Sequence, residues 1–163
     1  MNDKVEALID GIIQREKGYR NVSHDPGGRT NDGISENAHP EAWKDGVVTD
    51  EEKRTIYYEK YIKGPKFDQI PASHPTVQTL LIDWGVNSGP MIAVAYLQRT
   101  LGGEDDGRLG PHTLAAIPIQ DDRTLTNQLV AARIKMIGRL IQRRPQQLPD
   151  LSGLLNRALG WVK

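Results

Sequence analysis

Apolar residues recur along this chain at three- and four-residue steps, interrupted by one long stretch without that rhythm. Val5, Leu8, Ile9, Ile12 and Ile13 form one stripe and predict a helix over residues 3–17, with Asn2 or Asp3 as its N-cap. Residues 18–48 are rich in Gly, Asn, Asp and Pro and predict turns with two or three short strands. Thr49-Asp50-Glu51-Glu52 reads as a capping box that opens a helix to about Tyr61. Gly64-Pro65 stops it, and residues 64–74 form a connector.

Pro75 suits the first turn of a helix whose stripe is Val77, Leu80, Leu81 and Trp84 and whose end is Asn87-Ser88-Gly89. Pro90 opens another, which closes at Gly102-Gly103. A loop through Glu104-Asp105-Asp106-Gly107 leads to a short helix from Pro111 to Ile117. The longest helix spans about Arg123 to Arg144, with Leu125, Leu129, Ala132, Met136, Ile137 and Leu140 as its core face. Pro145 ends it, and a last helix covers roughly Asp150 to Trp161. The expected fold class is mainly α, with a small irregular or β-hairpin region. A chain of 163 residues is most economically one domain. It subdivides most naturally into a short lobe, 1–63, and a helical lobe, 75–163. A cleft between two such lobes is a natural place for a polymer.

Composition removes several classes. There is no cysteine, which excludes disulfides and thiolate metal sites. Acids at Asp3, Glu6 and Asp10 break the N-terminal apolar pattern, so it does not read as a secretory signal peptide. No apolar run approaches a membrane-spanning length. His24, His39, His74 and His112 are not at metal-ligand spacing, and the 104–107 loop lacks the alternating oxygen ligands of a calcium loop.

The net charge is zero, but it is unevenly placed. Residues 121–163 carry eight Lys or Arg against three Asp. That excess either attracts an anionic wall or membrane surface or is a solvated helix face. The helix holding Arg133, Lys135, Arg139, Arg143 and Arg144 reads as a core helix with a basic solvent face. Without an overall basic excess or a known motif, nucleic acid is a poor partner.

The candidate chemistry sits where the first stripe ends. Glu16 is four residues beyond Ile12 and seven beyond Ile9, so it extends the stripe. Lys17-Gly18 then offers a helix stop. A carboxylic acid on a buried helix face loses hydration of its charged form, which raises its pKa and suits a general acid. Asp25, in Asp-Pro-Gly-Gly, either makes a tight turn or supplies a second carboxylate. Two carboxyls with one kept protonated is what glycoside hydrolysis needs. Thr30 is either a plain strand residue or a hydroxyl that helps to hold water. Tyr19 either stacks on a sugar ring or caps the core. Asp83 and Asn87 share a helix face, where they line a cleft or bond to nearby backbone.

The run Glu16-Lys17-Gly18-Tyr19, then Asp25-Pro26-Gly27-Gly28-Arg29-Thr30-Asn31-Asp32-Gly33-Ile34-Ser35, resembles the N-acetylmuramidases of glycoside hydrolase family 108. These are lysozyme-like enzymes found as phage endolysins and in bacterial genomes. Lys17 departs from the pattern, since the family commonly has Gly there, and Asn21-Val22-Ser23-His24 is compressed. Neither departure touches Glu16, Asp25 or Thr30. A second stretch, Asp83-Trp84-Gly85-Val86-Asn87-Ser88-Gly89 with Leu97-Gln98 and Asp106-Gly107-Arg108-Leu109-Gly110-Pro111-His112-Thr113-Leu114, resembles the family's C-terminal peptidoglycan-binding segment.

The resemblance implies a lysozyme-like fold and hydrolysis, with inversion, of the bond between N-acetylmuramic acid and N-acetylglucosamine in bacterial peptidoglycan. It casts Glu16 as the general acid, Asp25 and Thr30 as the pair that positions or activates water, and Tyr19 and Asn87 as substrate contacts. No cofactor and no metal is implied. It also implies a monomer, made in the bacterial cytoplasm, that acts on the periplasmic wall after release; for a phage endolysin a holin would give that release. One rival is a lytic transglycosylase, which needs the acid but no water-activating carboxylate. Another is a non-catalytic wall-binding protein of a phage or secretion apparatus.

Overall fold

The computed structural model describes residues 3–15, 18–20 and 29–162. The fold is mainly α, and the chain divides into two compact units, Met1–Gly64 and Pro65–Lys163.

In the first unit, helix α1 spans Asp3–Arg15. Four of its five expected stripe residues are buried, Val5, Ile9, Ile12 and Ile13, with Ile9 and Ile12 each 1% exposed, and Leu8 is half-buried. The N-cap expected at Asn2 or Asp3 lies outside the described residues and side chains. The aperiodic stretch holds three two-residue strands, β1 (Tyr19–Arg20), β2 (Thr30–Asn31) and β3 (Ile34–Ser35), in an antiparallel sheet of order β1-β2-β3. Arg20 faces Thr30, and Thr30 faces Ser35. Between β2 and β3 the chain turns on Asp32-Gly33, whose φ values of 47° and 80° are both positive. That is the demand of the tight hairpin turn that Asp-Gly favours.

Helix α2 (Asp50–Tyr58) opens on the expected capping box. The Thr49 hydroxyl accepts the Glu52 N–H at 3.3 Å, and the Glu52 carboxylate accepts the Thr49 N–H at 2.8 Å. The helix runs on as a π-helical turn, Glu59–Lys63. Ile34, Ala42, Trp43, Val48, Tyr57 and Ile62 are also buried in this unit.

The second unit holds α3 (Pro75–Ser88), α4 (Pro90–Thr100), α5 (Pro111–Ala116), α6 (Asp122–Arg143) and α7 (Leu151–Leu159). Proline stands in the first turn of α3, α4 and α5, where its missing N–H has no helical partner to lose. Helix α3 packs on both α4 and α6. Its sequence shows one stripe, but every residue from Leu80 to Gly85 is buried, as befits a helix enclosed on all sides. The Asp122 carboxylate accepts the N–H groups of Thr76 and Val77 at 3.2 and 3.0 Å, so the start of α6 caps the start of α3.

Two readings of α6 need correction. Leu125, Leu129 and Ile137 are buried as expected, but Ala132, Met136 and Leu140 are only half-buried. Arg133 does not lie on a solvent face; it is buried, 3% exposed. A 3-10 turn, Pro145–Asp150, joins α6 to α7.

Candidate functional site

Glu16 and Asp25 lie outside the described residues, as does the side chain of Tyr19. Gly18, two residues past Glu16, is tied to the hairpin turn in both directions. Its N–H donates to the Asp32 carboxylate at 2.8 Å, and its C=O accepts the Asp32 N–H at 3.2 Å. The other Asp32 oxygen lies 2.8 Å from the Lys53 ammonium, and the Asp32 C=O accepts the Tyr57 hydroxyl at 3.0 Å. One residue thus joins the chain leaving α1 to the hairpin and to α2.

Lys53 is buried, and that burial is the largest influence on its titration, pushing its pKa down. Hydrogen bonds to Asp32 and Asp50 outweigh it and hold the pKa above the ordinary lysine value. A small cavity of about 250 Å³ opens beside this junction, lined by Asp10, Ile13, Gln14, Asp32, Asp50 and Arg54.

Thr30 is half-buried on the middle strand. The residue before it is clamped. The Arg29 guanidinium makes a two-pronged contact with Glu36, at 2.8 and 2.7 Å, and lies 5.0 Å over the Trp43 ring. The Arg29 hydrogen bond is the main reason why the Glu36 pKa falls below its ordinary value. Together the sheet register and this clamp fix the backbone that presents Thr30.

Asn87 belongs to the second unit. Its amide donates to the Asp83 carbonyl one turn earlier, at 2.7 Å. It also borders an open groove of about 730 Å³ whose lining includes Tyr96, Arg99, Met136, Arg139, Arg143 and Arg144. Asp83 takes its structural reading: its carboxylate meets Arg133 at 2.9 Å and Arg157 at 2.8 Å, and the Arg133 guanidinium sits 5.6 Å over the Trp84 ring. Desolvation pulls the Arg133 pKa down, against the pull of the Asp83 charge.

The loop after α4 is built around one buried amide. Gln98 donates to Asp106 Oδ1 at 2.8 Å and to the Arg108 carbonyl at 3.0 Å, and accepts the Gly107 N–H at 2.9 Å. Gly107 has φ 73°, and a Cβ there would meet the Met91 carbonyl oxygen at 3.0 Å, so glycine suits the position twice over. The spacing of Leu97-Gln98 and Asp106-Gly107 is therefore a loop-building device.

Sequence reasoning missed Asp32, Arg133 and Arg157. Arg133 carried a signal, since it stands four residues from both Leu129 and Ile137 and so on the apolar face. Among the described residues, no three His, Asp or Glu gather as metal ligands, and no helix is long and apolar enough to cross a membrane.

The class follows from the motif, the mainly α fold and its relatives: a glycoside hydrolase that acts on peptidoglycan. Residues 9–89 match the family described as glycosyl hydrolase 108, and residues 92–159 match the family described as predicted peptidoglycan domain. The family boundary falls after α3, whereas the compact units divide before it, so α3 belongs to the first match in sequence and to the second unit in packing. The chain is also similar to a solved structure described as Brucella abortus SagA. The likeness has 28% identity and a TM-score of 0.70, and covers 100% of this chain and 98% of the other. No curated protein matches.

Proposed function

We propose that the chain is an inverting N-acetylmuramidase that cuts the bond between N-acetylmuramic acid and N-acetylglucosamine, serving as a phage or prophage endolysin. It works as a monomer on the periplasmic wall after release from the cytoplasm. The observation that carries this reading is the family match over residues 9–89, a span that contains Glu16, Asp25 and Thr30. Glu16 protonates the leaving oxygen; Asp25 and Thr30 hold the water. The buried stripe of α1 supports the acid, because Glu16 follows Ile12 by four positions and Ile9 by seven in sequence, in step with that stripe. Tyr19 and Asn87 contact the sugar chain.

Zymography on purified peptidoglycan, with mass spectrometry of the products, tests the reading. Clearing with ordinary muramic acid reducing ends is the expected result. Anhydro-sugar ends make the protein a transglycosylase, and no clearing makes it a wall-binding protein. Glu16→Gln keeps the shape and removes the proton, and should lower turnover by about a hundredfold or more.

A further inference from the structure

Beyond Asn87 at its border, the groove of the second unit has no assigned role. All its lining residues but Asn87 and Ser88 fall in the segment matched as a peptidoglycan domain. Two helix faces build it: Ile92, Tyr96 and Arg99 recur along α4 at helical spacing, and Met136, Leu140 and Arg143 do so along α6. Arg139 and Arg143 stand one turn apart, and Arg144 follows at the helix end. Among the described residues, no acidic one lines the groove. Arg99 is paired with Asp105, but among the described residues Arg139, Arg143 and Arg144 have no carboxylate partner. The α6 macrodipole favours a cation in its last turn. It does not account for arginines from two helices converging on one concavity.

Apart from Asn87 and Ser88 at the end of α3, the rest of the lining is apolar or aromatic. Ile92 is 44% exposed, Met136 and Leu140 are half-buried, and Tyr96 is braced between the Trp84 ring at 5.2 Å and the Arg99 guanidinium at 4.9 Å. A pre-set aromatic wall loses little freedom on binding. At about 730 Å³ the groove has the volume of a small-ligand site. Surfaces that attach to membranes are instead outward helix faces that bury a continuous apolar stripe. Arginine forks match carboxylates two-pronged, and an aromatic wall suits the apolar face of a sugar.

We propose that this groove binds the peptide stem of peptidoglycan through its free carboxylates, held by Arg139 and Arg143, with the adjoining sugar against Tyr96. The proposal rests on the reading of the chain as a peptidoglycan hydrolase.

The test uses the full chain and a soluble N-acetylglucosaminyl-N-acetylmuramoyl tripeptide, which lacks the bond assigned to cleavage. Calorimetry compares it with the same compound after its carboxylates are converted to carboxamides. The acid should bind about tenfold tighter or more, and more weakly as salt rises. The double variant Arg139→Gln with Arg143→Gln, both exposed positions, should lose that preference. Equal binding of acid and amide, no binding of either, or an unchanged preference in the variant overturns the proposal. So does arginine-dependent binding to phosphatidylglycerol vesicles without binding of the tripeptide. Wall turnover by the unaltered protein is scored in parallel: an intact wall overturns the hydrolase reading, whereas lysis with an unchanged variant overturns only the groove.

Discussion

Asp32 and Gly18 hold each other by two hydrogen bonds, one to the Asp32 carboxylate and one from its backbone N–H. Fourteen residues separate them in sequence, yet this contact fixes where the chain goes as it leaves α1. The same carboxylate sits on the buried Lys53. The hairpin turn thus acts as a brace for the chain at Gly18, two positions past Glu16 in sequence.

Asp32→Ala removes both the acceptor for Gly18 and one partner of Lys53. Stability should fall by about 1–3 kcal/mol, the scale of a buried polar group left short of a partner. Wall turnover, measured well below the unfolding temperature, should fall by more than the loss of folded protein explains. Asp32→Asn keeps an oxygen for the Gly18 N–H and should recover most of the turnover but not the stability. Equal turnover in Asp32→Ala and the unaltered protein would show that the brace does not reach the acid.

Asp83 is the shared anion of two arginines, one from α6 and one from α7. Asp83→Ala leaves Arg133 charged, buried and unmatched, which typically costs about 3–5 kcal/mol. Arg157→Gln should cost far less, because Arg157 is a quarter exposed and Asp83 keeps Arg133. Denaturant midpoints order the two variants. A larger loss for Arg157→Gln would contradict the burial argument.

The titration of the fold has a definite sign. Glu36, Glu52, Asp106 and Asp121 are held below their ordinary values, first of all by hydrogen bonds from Arg29, Thr49, Gln98 and Thr124. A lowered carboxylate contributes stability that is full above its unfolded pKa and is lost as pH falls through the folded one. The melting temperature should therefore hold from neutral pH down to about 4.5 and fall below that. Lys53 behaves oppositely: its raised pKa gives stability below its unfolded value, lost as pH rises through the folded value, above about 10.5. Melting curves across pH check both limbs. An unchanged melting temperature at pH 3 would exclude the acid limb.

Local signals carried most of the fold into the sequence. The α1 stripe, the Thr49 capping box and the prolines that open α3, α4 and α5 each act within one or two turns. Their effect is therefore visible in a short window. The functional brace and the buried ion group were not, because their partners are remote: Arg133 and Asp83 are 50 residues apart. Asp32 announces a turn through Asp-Gly, but nothing nearby announces Gly18, Lys53 or Tyr57. The Gln98 loop was visible only as a motif, and its spacing made physical sense once one amide was seen to serve both Asp106 and Gly107.

The stereochemistry of cleavage tests the proposed mechanism most sharply. Asp25 follows Glu16 by nine positions in sequence, in an Asp-Pro-Gly-Gly run of turn-favouring residue types. An inverting enzyme keeps its carboxyls roughly 6.5–9.5 Å apart to admit water, whereas a direct nucleophile stands roughly 5–5.5 Å away. With water held between Asp25 and Thr30, attack comes in one step from the face opposite the leaving oxygen. The first products should then show inverted configuration at the anomeric carbon in early proton NMR spectra. Asp25→Ala should cripple hydrolysis without trapping a glycosyl-enzyme, and Thr30→Val should slow it while leaving the inverted product. Retention would make Asp25 a nucleophile and remove Thr30 from the water site.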